Sequence, residues 1–128
     1  MKILLDTHIL IWAQLTPDKI PAAAADALEN MDNELWFSPV SVWEMIHLIQ
    51  RGRLQVRGDL FKWVEDAVAG IHEAVLNRHV AAQSRRIATP HEDPADRFIA
   101  ATAQVYDLTL VTTDGNLLNT PGLRPFEL

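Results

Sequence analysis

The 128-residue sequence contains no cysteine. That excludes disulfide staples, thiol catalysis and Cys-ligated zinc, and it fits a reducing cytoplasm. Long apolar runs are missing too: none approaches the roughly 20 residues of a membrane span. The N-terminus lacks a basic region followed by a cleavable apolar segment, so no secretory signal is expected. Low-complexity segments, internal repeats and linkers are absent, and a single domain over residues 1–128 is expected. A chain of this size buries about two-thirds of its unfolded surface without covalent help. Positive charge is scarce: 11 Lys and Arg stand against 17 Asp and Glu, a formal net charge of −6. Proteins held to nucleic acid by bulk electrostatics usually show a basic footprint. That argument weakens where acids cluster around a cation, because the ion cancels part of the charge. Five of the basic residues form two local groups, Arg51, Arg53 and Arg57, and Arg85 and Arg86.

Against this background the first twelve residues stand out. The apolar run Ile3-Leu4-Leu5 stops at Asp6, and Thr7 opens a second run, Ile9-Leu10-Ile11-Trp12. The short run reads as a strand buried on both faces, as in a parallel sheet, and the second as a helix. Asp6 then lies at a strand-to-helix turn on the carboxyl edge, where ligands bind in open α/β sheets. Further along, Pro17 and Pro21 bracket a break, with Pro21 expected at the first position of a helix over Ala22 to Met31. Leu35 to Phe37 is a short strand that Ser38-Pro39 ends. Val40 to Arg51 is a helix stopped by Gly52. It is apolar on nearly every side and is expected to be largely buried, with Trp36 and Trp43 in the core.

Gly52 to Gly58 is an exposed basic connector. Asp59 caps a helix over Leu60 to Ala69, Ala74 to Leu76 is a strand candidate, and Asn77 caps a helix reaching Ile87. Ala88 to Glu92 is loop. Asp93, Pro94 and Asp96 make a strong helix entry, and Leu108 to Thr112 is another buried strand, ending at Thr113-Asp114-Gly115. Leu117 to Leu128 holds a short helix or turn and an edge strand near Pro125-Phe126. Strands alternating with helices predict a three-layer α/β fold with a mainly parallel sheet flanked by helices.

Four carboxylates carry the chemical reading. Asp6 alone reads first as an N-cap. Glu44 lies inside the apolar helix, where an ionised carboxylate needs a cation, an arginine or a polar cleft. Asp93 is mainly a cap. Asp96 can complement the helix dipole. Asp114 ends the Leu108–Thr112 strand in an Asp-Gly turn, yet no alternating strand follows to make a hairpin. Taken together, Asp6, Glu44, Asp96 and Asp114 can converge on one crevice if the strands are parallel. Carboxylates packed so closely raise one another's pKa, and oxygen-seeking Mg²⁺ or Mn²⁺ relieves the repulsion without Cys or His ligands.

LLDTHILIW at 4–12, SVWEM at 41–45, HEDPADRFIAATA at 91–103 and LVTTD at 110–114 resemble, in order and spacing, the PIN domain and more closely the VapC-type toxins of toxin–antitoxin pairs. The resemblance covers essentially the whole chain. It implies a parallel sheet between helices and an endoribonuclease that uses Mg²⁺ or Mn²⁺ and leaves 5′-phosphate and 3′-hydroxyl ends. The family's acidic positions fall on Asp6, Glu44, Asp96 and Asp114. A hydroxyl position falls on Thr112 or else Thr113. Many relatives carry another carboxylate two residues after Asp114. Asn116 stands there instead, and an amide is a weak ligand for a second ion. The resemblance also implies an RNA substrate, a cognate antitoxin whose tail covers the site, and a homodimer. The rival class is a PIN module that binds RNA or protein without cutting. Arg97 has two readings, a phosphate contact or a salt bridge to a nearby acid. His8 and Trp12 share a helix face and are expected to serve packing or a partner rather than catalysis. A haloacid-dehalogenase phosphatase would need a second Asp two residues after Asp6, where the chain has His8.

Overall fold

The computed structural model describes residues 1–88 and 93–126. The chain runs β1 (Lys2–Leu5), α1 (Thr7–Leu15), a 3-10 turn (Pro17–Lys19), α2 (Ala22–Glu29), β2 (Glu34–Phe37), α3 (Pro39–Gln50) and α4 (Leu60–Val68). β3 (His72–Glu73), α5 (Arg78–Arg86), α6 (Pro94–Val105), β4 (Thr109–Val111) and α7 (Gly115–Leu118) follow. The strands form one parallel sheet in the order β3-β2-β1-β4. Ile3 pairs with Leu35 on one side and Thr109 on the other, so β1 is central. The predicted three-layer α/β architecture is therefore what the chain adopts.

Strand alternation explains why β1 had to be apolar from Ile3 to Leu5. Ile3 and Leu5 pack into a core with residues of α1, α2, α3 and α4. Leu4 points the other way, into a second core with Val80 of α5 and Ile99 of α6. In β4, Val111 belongs to the first core and Leu110 to the second. Each fully buried aliphatic side chain contributes roughly 1.5–3 kcal/mol relative to exposure. The run Ala100-Ala101-Thr102-Ala103 is buried in α6, and residues this small allow close approach of that helix.

Most element ends follow local chemistry. Asp59, Asn77 and Asp93 cap α4, α5 and α6 as predicted, each accepting a backbone N–H within 3.1 Å. The stop of α3 at Gly52 is a Schellman motif: Arg53 N donates to Leu48 O at 2.9 Å and Gly52 N to Ile49 O at 3.0 Å. Gly52 sits at φ +72°, where a side chain is strained.

Several expectations fail. Pro21 is the N-cap of α2, not its first residue, because its ψ of 144° is extended. Ser38 and Pro39 do end β2, but α3 opens at Pro39 behind the Ser38 cap, one residue before the expected Val40. The third strand is His72–Glu73, not Ala74 to Leu76: Ala74 makes one further bond to Phe37 O, and Val75 and Leu76 turn to the surface. The helix α3 is only part-buried, with Ser41 and Met45 its buried residues. Trp43 is 61% exposed and stacks on His47 at 4.9 Å, while Trp36 is half-buried. Composition reports how apolar a helix is, whereas burial depends on which stripe meets its neighbours, here α1, α4 and α6. The C-terminal edge strand is reduced to a bridge between Leu110 and Pro125, and of the expected loop from Ala88 to Glu92, residues 89–92 lie outside the described residues.

Arg97 has a structural use outside its two readings. Its guanidinium donates to Ser84 O at 2.9 Å and Ile87 O at 3.0 Å, satisfying carbonyls at the C-terminal end of α5 and joining that helix to α6. Truncation to Arg97→Ala is expected to cost roughly 1–3 kcal/mol of stability, because the carbonyls lose a charged donor. A drop in the urea midpoint checks this. Gly52→Ala should cost about 1–2 kcal/mol for the left-handed backbone alone. No neighbouring atom lies within 4 Å of an added Cβ, so steric repacking contributes nothing to that loss in a urea melt.

Candidate active site

Because the sheet grows from β1 to β2 to β3 on one side and receives β4 on the other, its order reverses between β1 and β4. Crevices form at such a point on the carboxyl edge. Asp6 follows β1 there, and its N–H extends the ladder by donating to Val111 O at 3.1 Å. The residue is 6% exposed and both carboxylate oxygens are used. Thr7 N donates to Oδ1 at 2.8 Å and Thr112 Oγ1 to Oδ2 at 2.7 Å. Thr112, wholly buried just beyond β4, also accepts Asp114 N at 3.0 Å. Asp114 in turn caps α7, its Oδ1 accepting Asn116 N at 2.8 Å. Strand end, hydroxyl and helix cap are thus linked in one chain of hydrogen bonds.

Glu44 approaches from α3. Thr7 Oγ1 donates to Glu44 Oε1 at 2.6 Å and also contacts Ser41 Oγ at 2.8 Å. Among the described residues no arginine pairs with Glu44. Burial pushes the Asp6 carboxyl above its ordinary value, against the hydrogen bonds from Thr112 and Thr7 and the charge of His8; Asp114 adds to the rise. Burial also raises Glu44. The Thr7 bond opposes that rise, the charges of Asp6 and Asp93 reinforce it, and His8 again opposes it.

The remaining expected residues divide. Asp96 is half-buried on the first turn of α6. Thr113 is exposed, so the hydroxyl that meets Asp6 is that of Thr112. Asn116 is exposed in α7, and Arg97 is turned to the α5 carbonyls instead of the site. Thr7 and Ser41 were missed. Two signals were available: Thr7 directly follows Asp6, and Ser41 lies three residues before Glu44, on the same helix face.

The donor set fits a hard divalent ion by its chemistry. It consists of carboxylates and hydroxyls, and burial, reinforced by neighbouring acids, raises Asp6 and Glu44, which a bound cation would relieve. Among the described residues, no three Asp, Glu or His side chains are gathered about one point. Beside the site, His8 and Trp12 share a face of α1 with ring centroids 6.1 Å apart. With Ile11, Leu15, Leu48 and Leu54 they line a groove of about 390 Å³ that Lys19 and Arg53 border. Among the described residues no helix is long and apolar enough to cross a membrane.

A parallel sheet with acids at the switch point of its carboxyl edge defines the class, and comparison with known proteins agrees. Residues 3–123 match the PIN domain. Ribonuclease VapC22 of Mycobacterium tuberculosis is 32% identical over 126 residues, covering 96% of this chain and 95% of that protein. Among solved structures, VapBC2 from Rickettsia felis bound to a promoter DNA fragment superposes with a TM-score of 0.72 at 15% identity, covering 98% of both chains. VapBC-1 from nontypeable Haemophilus influenzae gives 0.67 at 17%, covering 92% of this chain and 90% of that one. The chain belongs to the PIN domain family and, within it, to the VapC-type toxins.

The raised carboxyls have a consequence for stability. Asp6 and Glu44 hold protons more tightly folded than unfolded, so the native state binds more protons between their ordinary values, 3.8 and 4.5, and their raised ones. Stability contributed by the protonated groups is present below that window and is lost as pH rises through it. Thermal melts in chelator from about pH 4 to about pH 8 should show Asp6→Asn gaining stability relative to the parent protein as pH rises, because the amide cannot ionise. A difference independent of pH would contradict the raised carboxyl.

Proposed function

We propose that this protein is the toxin of a toxin–antitoxin pair, an endoribonuclease that hydrolyses RNA phosphodiester bonds with Mg²⁺ or Mn²⁺. The observation that carries this reading is the buried Asp6 carboxylate at the β1/β4 switch point, tied through Thr112 to Asp114 and through Thr7 to Glu44. Its support from relatives is the ribonuclease that matches over nearly the whole chain. Asp6, Asp96 and Asp114 would hold the ion, with Glu44 binding directly or through water. A divalent ion in that position supplies a Lewis acid for the scissile phosphate and lowers the pKa of an attacking water.

The rest falls to the chain's own residues. Thr7 N and Thr112 Oγ1 orient the two Asp6 oxygens, and Thr7 Oγ1 orients Glu44. Burial of Asp6 keeps bulk water from competing for it. Glu44, raised and only half-buried, can take up the proton that leaves the attacking water. Cleavage of the P–O3′ bond, with the departing 3′ oxygen taking a proton from solvent, then yields 5′-phosphate and 3′-hydroxyl ends. The protein works in the cytoplasm, pairs with a cognate antitoxin whose tail covers the site, and forms a homodimer. Solved relatives described as toxin–antitoxin complexes support the antitoxin partner.

A second reading, a PIN module that binds RNA or protein without cutting, draws on one observation: among the described residues the acids are not gathered about a single point. RNA incubated with the purified protein separates the two. With Mg²⁺, cleavage is expected, and both excess EDTA and Asp6→Asn should abolish it, a fall of at least about 10²-fold for loss of a metal ligand. The folded state of the variant is checked by circular dichroism. Full cleavage by folded Asp6→Asn, or in EDTA, would refute the assignment.

A further inference from the structure

Two surfaces outside the carboxylate site invite attention, the apolar groove around Trp43, Leu76 and Phe98 and the one beside Trp12, but neither carries a feature that names its occupant. The buried hydroxyls between α1 and α3 carry more. We infer that Ser41 and Thr7 form a directed relay that fixes the Glu44 carboxylate beside Asp6, which makes both hydroxyl residues positioning residues of the site. The inference rests on the nuclease reading above.

The direction of the relay follows from proton count. A threonine hydroxyl has one proton to give. Thr7 Oγ1 gives it to Glu44 Oε1 at 2.6 Å, a length suited to a bond onto an ionised acceptor. The Ser41 Oγ at 2.8 Å must then be the donor to Thr7. Both hydroxyls are sealed from solvent, Ser41 at 0% and Thr7 at 1% exposure, so water cannot substitute for either partner. Glu44 itself is only half-buried and has three rotatable side-chain bonds. Held by nothing, it would swing to water and away from its like-charged neighbours Asp6 and Asp93, which already act on it unfavourably. One residue, Thr7, therefore sets two acids at once: its backbone N–H holds Asp6 and its side chain holds Glu44. A hydroxyl that served packing alone would not need to face a carboxylate. Ser41 is anchored one helical turn before Glu44, so the relay also ties the relative position of α1 and α3 to the geometry of the acids.

Three variants test this: Thr7→Val, which keeps shape and the backbone donor, Thr7→Ser, which restores the hydroxyl, and Ser41→Ala. Mn²⁺ affinity is measured by calorimetric titration, and Glu44 is located in crystal structures of metal-free parent and variant proteins. Thr7→Val is expected to weaken Mn²⁺ binding about 10–100-fold, the range for residues that orient metal ligands. Thr7→Ser should restore binding to near the parent value, and Ser41→Ala should fall between. The metal-free Thr7→Val structure should show Glu44 moved away from Asp6. Parent-like Mn²⁺ affinity in Thr7→Val, or failure of Thr7→Ser to rescue, would overturn the relay. If the parent protein binds no Mn²⁺, the nuclease reading fails, and the Glu44 position in the metal-free structures decides the relay alone. If Thr7→Val does not fold, Ser41→Ala carries the same comparison, with an unmoved Glu44 counting against it.

Discussion

The Asp6 carboxylate is almost completely withdrawn from water, and the surrounding structure is arranged to make that tolerable. Burial of an ionised group without partners is costly enough that the group would sooner take a proton. Here the start of α1 supplies a backbone donor and the end of β4 a hydroxyl. The hydroxyl would not be in place if β4 were not the immediate neighbour of β1, with Leu5 opposite Val111. The pairing of the two strands and the chemistry of the site are thus one constraint seen from two sides.

That constraint also explains why stability and function pull apart at this edge. The two cores on either side of the sheet stabilise the fold, and neither contains an acid of the site. The sheet can therefore hold raised, mutually repelling carboxylates at its carboxyl edge without disturbing what keeps it folded. Concentrating the unfavourable electrostatics at one place is the ordinary design of a metal-dependent site, since the ion that relieves the repulsion binds only where the repulsion exists. At 15% identity the Rickettsia felis structure keeps the fold, so the architecture tolerates wide change in side chains.

Two features around the site follow from packing rather than chemistry. Arg97, one residue after Asp96, spends its charge on the last carbonyls of α5, and so fixes the second helical layer behind the acids. Trp43, one residue before Glu44, faces solvent because the stripe of α3 that carries Ser41 and Met45 is the one that faces inward. Adjacent residues on a helix point about 100° apart. A functional side chain and its sequence neighbour therefore answer to different surroundings.

The sequence by itself determined the alternation of strands and helices, the caps at Asp59, Asn77 and Asp93, the stop at Gly52 and the placing of Asp6 after a doubly buried strand. Each of these is decided by neighbours within a few residues, through periodicity, capping or backbone conformation. The tertiary structure alone decided the rest. It shifted the third strand to His72–Glu73, exposed Trp43, turned Arg97 to α5, and chose Thr112 over Thr113 as the partner of Asp6. It also brought Ser41 and Thr7, 34 positions apart, to 2.8 Å. Those outcomes depend on which faces meet across the sheet and between helices, and no local pattern in a chain records a contact made only when distant segments pack.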